Sequence, residues 1–179
     1  MTRGTVVLLR GVNVGGHRTF RPAVLARQLR HLGAVNIGAA GTFVIREAIG
    51  RARLRAEIAR RLPFEADIMI CSGREIAGLM SRDYFADHPV RADLVRFASV
   101  LSRRPRSTPG LPMSLPARGP WMLRVLALDG RIVVGVYRRH MKAIGHLSTL
   151  DRIFGVPVTT RNWNTIAAIS AAMNDDAIG

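Results

Sequence analysis

Residues 5–16 read TVVLLRGVNVGG: the apolar run Thr5-Val6-Val7-Leu8-Leu9, then Arg10, then Gly11-Val12-Asn13-Val14-Gly15-Gly16. An aliphatic run with no polar alternation suits a strand buried on both faces. Beyond the glycines, Pro22 stands where the first turn of a helix tolerates proline. Leu25, Leu29 and Leu32 recur at helical spacing, and Gly33 supplies the stop. Residues 35–37 and 42–45 form short strands broken by Gly38 and Gly41. Leu54, Ile58 and Leu62 then repeat every four residues with arginines on the other helix faces, until Pro63 ends the helix. Ile68-Met69-Ile70-Cys71 is a second buried strand. The order is βαββαβ, that of a ferredoxin-like unit.

Working onward, Ser72 and Glu75 have capping-box spacing, which predicts a short helix over about 74–80. Residues 81–93 connect to a strand over 94–101. Residues 102–120 hold Pro105, Pro109, Pro112, Pro116 and Pro120, and are expected to form a long exposed loop without strand or helix. Residues 121–128 and 131–137 flank Asp129-Gly130, which predicts a hairpin turning on those two residues. Leu147, Leu150 and Phe154 share one helix face, closed by Gly155 and Pro157. A last helix over about 162–173 buries Trp163, Ile166, Ile169 or Ser170, and Met173. The expected fold is α+β. A ferredoxin-like half over 1–80 precedes a second α+β half over 81–179 with a hairpin and two C-terminal helices, either as separate domains or as one continuous domain.

Composition narrows the function classes. The chain has 179 residues, 48% of them hydrophobic and 22% charged, which is ordinary for a globular protein. Its apolar runs fall far short of the roughly 20 residues that span a bilayer, so no membrane partner is expected. The single cysteine, Cys71, excludes an internal disulfide and any multi-cysteine metal site, and a cytoplasmic protein is the default. The five histidines are scattered and no paired-carboxylate spacing appears, so neither a metal nor a cofactor is expected. The P-loop, nucleophile-elbow and H-E-x-x-H patterns are absent.

The net charge is +15, from 27 basic and 12 acidic residues. Such an excess attracts polyanions in a salt-sensitive way. All but one of the cations are arginines, Lys142 being the exception, and GC-rich coding would produce the same skew. The excess is spread evenly: 13 arginines face 5 acidic residues over 1–80, and 14 cations face 7 over 81–179. Two local clusters remain, Arg103, Arg104 and Arg106 in the proline-rich segment, and Arg138, Arg139, His140 and Lys142 after a strand. Aromatic residues are not interleaved with either cluster in sequence, which argues against single-strand binding.

Two segments carry candidate chemistry. In the first, Gly11, Gly15 and Gly16 allow backbone N–H groups to converge on an anion, with Arg10, His17 and Arg18 around them. A tight turn with no ligand explains the glycines equally well. In the second, Thr159-Thr160-Arg161-Asn162-Trp163-Asn164-Thr165, Thr160 or Asn162 caps the last helix. Capping does not explain Arg161, because a cation at a helix N-terminus is mildly unfavourable unless an anion lies near. Trp163 suits core packing or a ligand platform.

The two segments together, Leu8–Gly16 and Thr159–Thr165, resemble the paired signatures of a bacterial family known as domain of unknown function 1697. Ala40-Gly41-Thr42-Phe43-Val44 falls where that family usually has Ser-Gly-Asn and two apolar residues. The resemblance runs over nearly the whole chain and implies an α+β protein with ferredoxin-like units; it supplies no reaction, substrate or cofactor. Ala143-Ile144-Gly145-His146-Leu147 departs from the family's Ser-Lys-Leu-Thr-like stretch, and Ala40 and Thr42 replace Ser and Asn. The expected site is therefore anion-binding and drawn from the intact motifs: Arg10, Gly11, Asn13, Gly15, Gly16, Arg18, Arg161, Asn162 and Trp163, which are expected to meet in space. Its ligand is a phosphate, a phosphorylated metabolite or nucleic acid. Two other classes stay open: a small-molecule enzyme whose site is assembled from several loops, and a partner-binding protein whose charge reflects coding bias.

Overall fold

The computed structural model describes residues 4–12, 16 and 19–175. The chain forms two compact units, Met1–Ser81 with Asn164–Gly179, and Arg82–Trp163. In the first unit, strand β1 (Thr5–Arg10) leads to helix α1 (Pro22–Gln28), which begins on its proline and ends in a 3-10 turn, Arg30–Leu32, stopped by Gly33. Strands β2 (Ala34–Asn36) and β3 (Thr42–Ile45), helix α2 (Arg51–Ala59) and strand β4 (Asp67–Ser72) complete the βαββαβ order. The sheet runs β2-β3-β1-β4 with every neighbour antiparallel, the ferredoxin-like arrangement. Val6 to Leu9 are buried on both faces, as their unbroken apolar run requires. Leu25, Leu29, Leu54 and Ile58 pack the two helices onto Val7, Leu9, Phe43 and Ile45.

Helix α3 (Gly73–Met80) starts with a complete capping box: the Glu75 N–H donates to Ser72 Oγ, and Glu75 Oε2 accepts from the Ser72 N–H at 2.7 Å. The last helix, α6 (Trp163–Asn174), buries Ile166, Ile169 and Met173. From Asn164 it belongs to the first unit rather than to a contiguous second half. There Arg46 Nη2 donates to the Ala172 carbonyl.

The second unit contains strands β5 (Leu94–Leu101), β6 (Met113–Leu115), β7 (Leu123–Asp129), β8 (Ile132–Arg138) and β9 (Val158–Asn162), with helices α4 (Met141–Leu147) and α5 (Leu150–Phe154). All neighbours in its sheet, β6-β7-β8-β5-β9, are antiparallel. Counting β5, β7, β8 and β9 as first to fourth, their order is that of the first sheet, with residues 102–122 standing in place of the first crossover helix. One face carries an apolar core, with Phe97, Leu101, Leu123, Val125 and Val133 packed against Leu150 and Phe154.

Four features of this unit depart from the sequence expectation. Residues 158–162 form a strand, not the approach to a helix cap: Val158, Thr159 and Thr160 are β-branched and pair with β5 from Leu101 to Ser99. Met113–Leu115 is a strand inside the proline-rich segment, in the proline-free gap between Pro112 and Pro116; an edge strand tolerates such neighbours. The hairpin turns on Gly130-Arg131, one residue later than expected, because Asp129 pairs with Ile132 after a bulge between Val125 and Ala127. Gly130 supplies the positive φ, 62°, that such a turn demands. Finally, the segment expected to form one helix is interrupted at Ser148-Thr149 and makes two, α4 and α5.

Candidate functional site: an arginine face on the second sheet

Paired residues of antiparallel strands point to the same face. Arg124 pairs with Val136, Arg96 with Val136, Leu94 with Arg138, and Ala98 with Arg161. The face opposite the helix-covered core therefore carries Arg124 of β7, Arg138 of β8, Arg96 of β5 and Arg161 of β9. Four adjacent strands each contribute one arginine.

Each guanidinium is oriented by defined acceptors. Arg96 donates from Nε and Nη2 to the His88 carbonyl at 3.2 and 2.7 Å, and lies 4.7 Å from the centre of the Phe85 ring. Arg124 Nε donates to Ser114 Oγ at 3.1 Å. Arg138 Nε donates to the Trp121 carbonyl at 3.0 Å, and its Nη1 lies 3.3 Å from Asp93 Oδ2. The Arg124 and Arg138 guanidinium carbons stand 4.8 and 4.3 Å from the centre of the Trp121 indole. His88 meets the same indole edge-on at 6.1 Å. Burial, then the nearby Arg124, lowers the His88 pKa, so its imidazole is neutral at pH 7.

The centre of this face is closed, since Ala98, Val134 and Val136 are buried. Arg161 is closed with it, 8% exposed, and its Nη1 donates to Thr159 Oγ1 and to the Thr160 carbonyl, both at 2.9 Å. Burial pushes its pKa down to about 10, which still leaves it charged at neutral pH. The open end is at β7 and β8, where Trp121 and Arg124 are half-buried and the Arg138 side chain is 35% exposed. Arg118, Arg139 and Lys142 are exposed beside these residues in the chain.

The expected site residues are placed as follows. Arg10 ends β1, 3.1 Å from Asp67 Oδ2, and lines an open cleft of about 660 Å³ with Leu62, Pro63 and Phe64. Gly11 and Gly16 have positive φ, 67° and 76°. Asn13, Gly15, His17 and Arg18 lie outside the described residues, and with them the expected meeting of the glycine loop and Arg161. Asn162 is exposed at the end of β9, its backbone paired with Phe97. Trp163 opens α6 as part of an aromatic cluster, 4.8 Å from the Phe85 ring centre and 6.3 Å from that of Tyr84.

No aromatic is interleaved with the basic clusters in sequence, but the fold sets Trp121, 17 positions before Arg138, against both Arg124 and Arg138. Arg96, Arg124 and Trp121 were not singled out from the sequence. The available signal was Arg124 between the buried Leu123 and Val125, a polar residue facing away from the core. Among the described residues no group of three His, Cys, Asp or Glu side chains gathers to hold a metal. Among them, too, no helix is long and apolar enough to cross a membrane.

The model of the family described as Protein of unknown function (DUF1697) matches residues 1–109. No curated protein matches this sequence. Among solved structures, the fold is similar to that of the conserved bacterial protein SP0830 from Streptococcus pneumoniae. The TM-score is 0.61 at 15% sequence identity, covering 96% of this chain and 98% of that one.

Proposed function

The chain belongs to the DUF1697 family of proteins of unknown function, and we propose that it binds phosphate-bearing anions through the open end of its arginine face. The observation that carries this reading is the set of four arginines contributed by four adjacent strands to one side of a sheet. Solubility alone requires charge at the surface, not guanidinium groups aligned and held by carbonyl and hydroxyl acceptors. Planar, always-charged guanidinium suits bidentate recognition of phosphate. The charge balance supports the same conclusion. Twenty-seven cations face twelve acidic side chains, so fifteen of them exceed any one-to-one pairing within the chain. The acids are shared as well: Glu57 serves Arg60 and Arg61, and Asp93 serves Arg91 and Arg138. Arg161, buried on the same side of the sheet, stays protonated at physiological pH. A cytoplasmic setting, where the buried Cys71 stays a free thiol, belongs to this reading.

A thermal-shift series in phosphate, inorganic polyphosphate and chloride at matched ionic strength tests it. Ligand that binds only the folded state raises the melting midpoint by mass action. The expected result is stabilisation by phosphate and polyphosphate beyond chloride, reduced in Arg138→Gln. Equal midpoints in the three salts would remove the proposal.

A further inference from the structure

Resting on the anion-binding reading above, we infer that the ligand at the open end of the arginine face is a single-stranded nucleic acid. Trp121, Arg124 and Arg138 supply the surface on which its bases stack. The geometry differs from that of a plain phosphate site. A site for phosphate alone points N–H groups at a common centre, whereas here both guanidinium carbons lie within 5 Å of one indole centroid, 4.8 and 4.3 Å away. Flat cations set over an aromatic ring offer what unpaired bases use, π-faces and guanidinium planes. The planes are also held in advance, Arg124 by Ser114 and Arg138 by the Trp121 carbonyl, so less rotamer freedom is lost on binding. The Asp93 carboxylate beside Arg138 also pairs with Arg91, so one negative charge is shared between two guanidinium groups.

Phosphates have partners in the same part of the chain. Arg118 lies three residues before Trp121, Arg139 directly follows Arg138, and Lys142 lies in the first turn of α4; all three are exposed. Stacking positions flanked by exposed cations suit a flexible strand, whose bases and backbone reach both. A duplex hides its bases inside the stack and would meet only the cations. An acidic peptide would likewise use the charge and leave Trp121 without a role.

The test uses the full chain and a fluorescein-labelled oligothymidylate of about 12 nucleotides, within the span such surfaces cover. Binding is read by anisotropy over a range of salt. Trp121→Ala should weaken binding about tenfold, the loss of one stacked base, and Trp121→Phe should stay within about threefold of wild type. Arg139→Gln, on an exposed side chain, should make the slope of log affinity against log salt shallower by about 0.7, one phosphate contact to a single strand. Melting midpoints check that each variant folds; should Trp121→Ala not fold, Trp121→Phe and Arg139→Gln decide. Equal binding by wild type and Trp121→Ala would overturn the inference. So would competition by duplex DNA, polyphosphate or polyglutamate as effective as that of unlabelled oligothymidylate. Polyphosphate binding without a single-strand preference would leave the anion-binding reading standing, whereas failure of every polyanion to bind would remove both.

Discussion

Replacing Gly135 with alanine is a severe test of the described packing of the second sheet, although it adds only one methyl group. Gly135 lies in the middle of β8, opposite Phe97 of β5 and Val125 of β7, on the face that carries the core. A Cβ built there meets the Arg124 carbonyl oxygen and lies 2.7 and 2.8 Å from two atoms of the Phe97 ring. Neither neighbour can retreat cheaply. The carbonyl belongs to the strand just before the Val125/Ala127 bulge, and Phe97 is wholly buried beneath the sheet. Forcing an extra carbon into a packed core costs about 1–3 kcal/mol, and two collisions of this kind place the cost near the upper end. Loss of glycine's freedom in the unfolded chain returns about 0.4–1 kcal/mol. The net expectation is a loss of about 2 kcal/mol, or about 4–8 °C in melting midpoint for a chain of this size. Gly145, inside α4, has nothing within 4 Å of its built Cβ. Gly145→Ala should therefore stabilise, by up to about 1 kcal/mol through helix propensity. Urea titration with an unchanged m-value reads both. If Gly135→Ala fell within about 0.5 kcal/mol of wild type, or matched Gly145→Ala in sign, the packing argument would be wrong.

Other outcomes follow from the same structure. Ser72→Ala removes the hydroxyl that accepts from the Glu75 N–H, leaving the Ser72 N–H bond to Glu75 in place, and should cost about 1 kcal/mol by urea titration; no change would mean that the cap is not holding α3. Burial, then the hydrogen bond and negative charge of Asp129, pushes the Tyr84 phenol up to about 12, and burial raises Tyr137 as well. In the unfolded chain both phenols ionise near 10, so the folded state holds more protons above that pH and stability falls as pH rises from 10 toward 12. Absorbance titration should show the two-tyrosine signal rising only beyond pH 10, with an earlier rise in Asp129→Asn. Limited trypsin digestion should cut first after Arg103 or Arg106, exposed in the proline-rich segment, Arg104 being shielded by the proline that follows it; first cleavage elsewhere, with both sites intact, would contradict that picture.

The elements legible in the sequence are those whose signals are local. The Val6–Leu9 run, the Pro22 start, the Ser72/Glu75 pair and the Leu54/Ile58 repeat each announce an element within a few residues, and each stands where it was expected. Register is another matter. Asp129-Gly130 marks a turn, but the bulge after Val125 moves its centre by one residue, and nothing near the turn announces that bulge. Thr159 and Thr160 serve equally well as helix caps or strand residues, and only the existence of β5 as a partner decides between them. The same reason hides the arginine face. Arg96, Arg124, Arg138 and Arg161 span 66 positions in sequence and become neighbours only through three strand pairings. Trp121 and Arg138 are likewise 17 positions apart, joined by the hairpin that sets the guanidinium over the indole.

The central claim is that the excess positive charge forms a binding surface and is not a by-product of coding composition. The salt dependence of polyanion binding tests it most directly, with single-stranded oligonucleotide, duplex DNA and polyphosphate titrated from about 50 to about 500 mM salt. The account predicts a steep linear fall of log affinity with log salt for all three. It also predicts a residual preference for the single strand that survives screening and is lost in Trp121→Ala. Three curves that converge to the same negligible affinity at high salt, identical in wild type and variant, would contradict it.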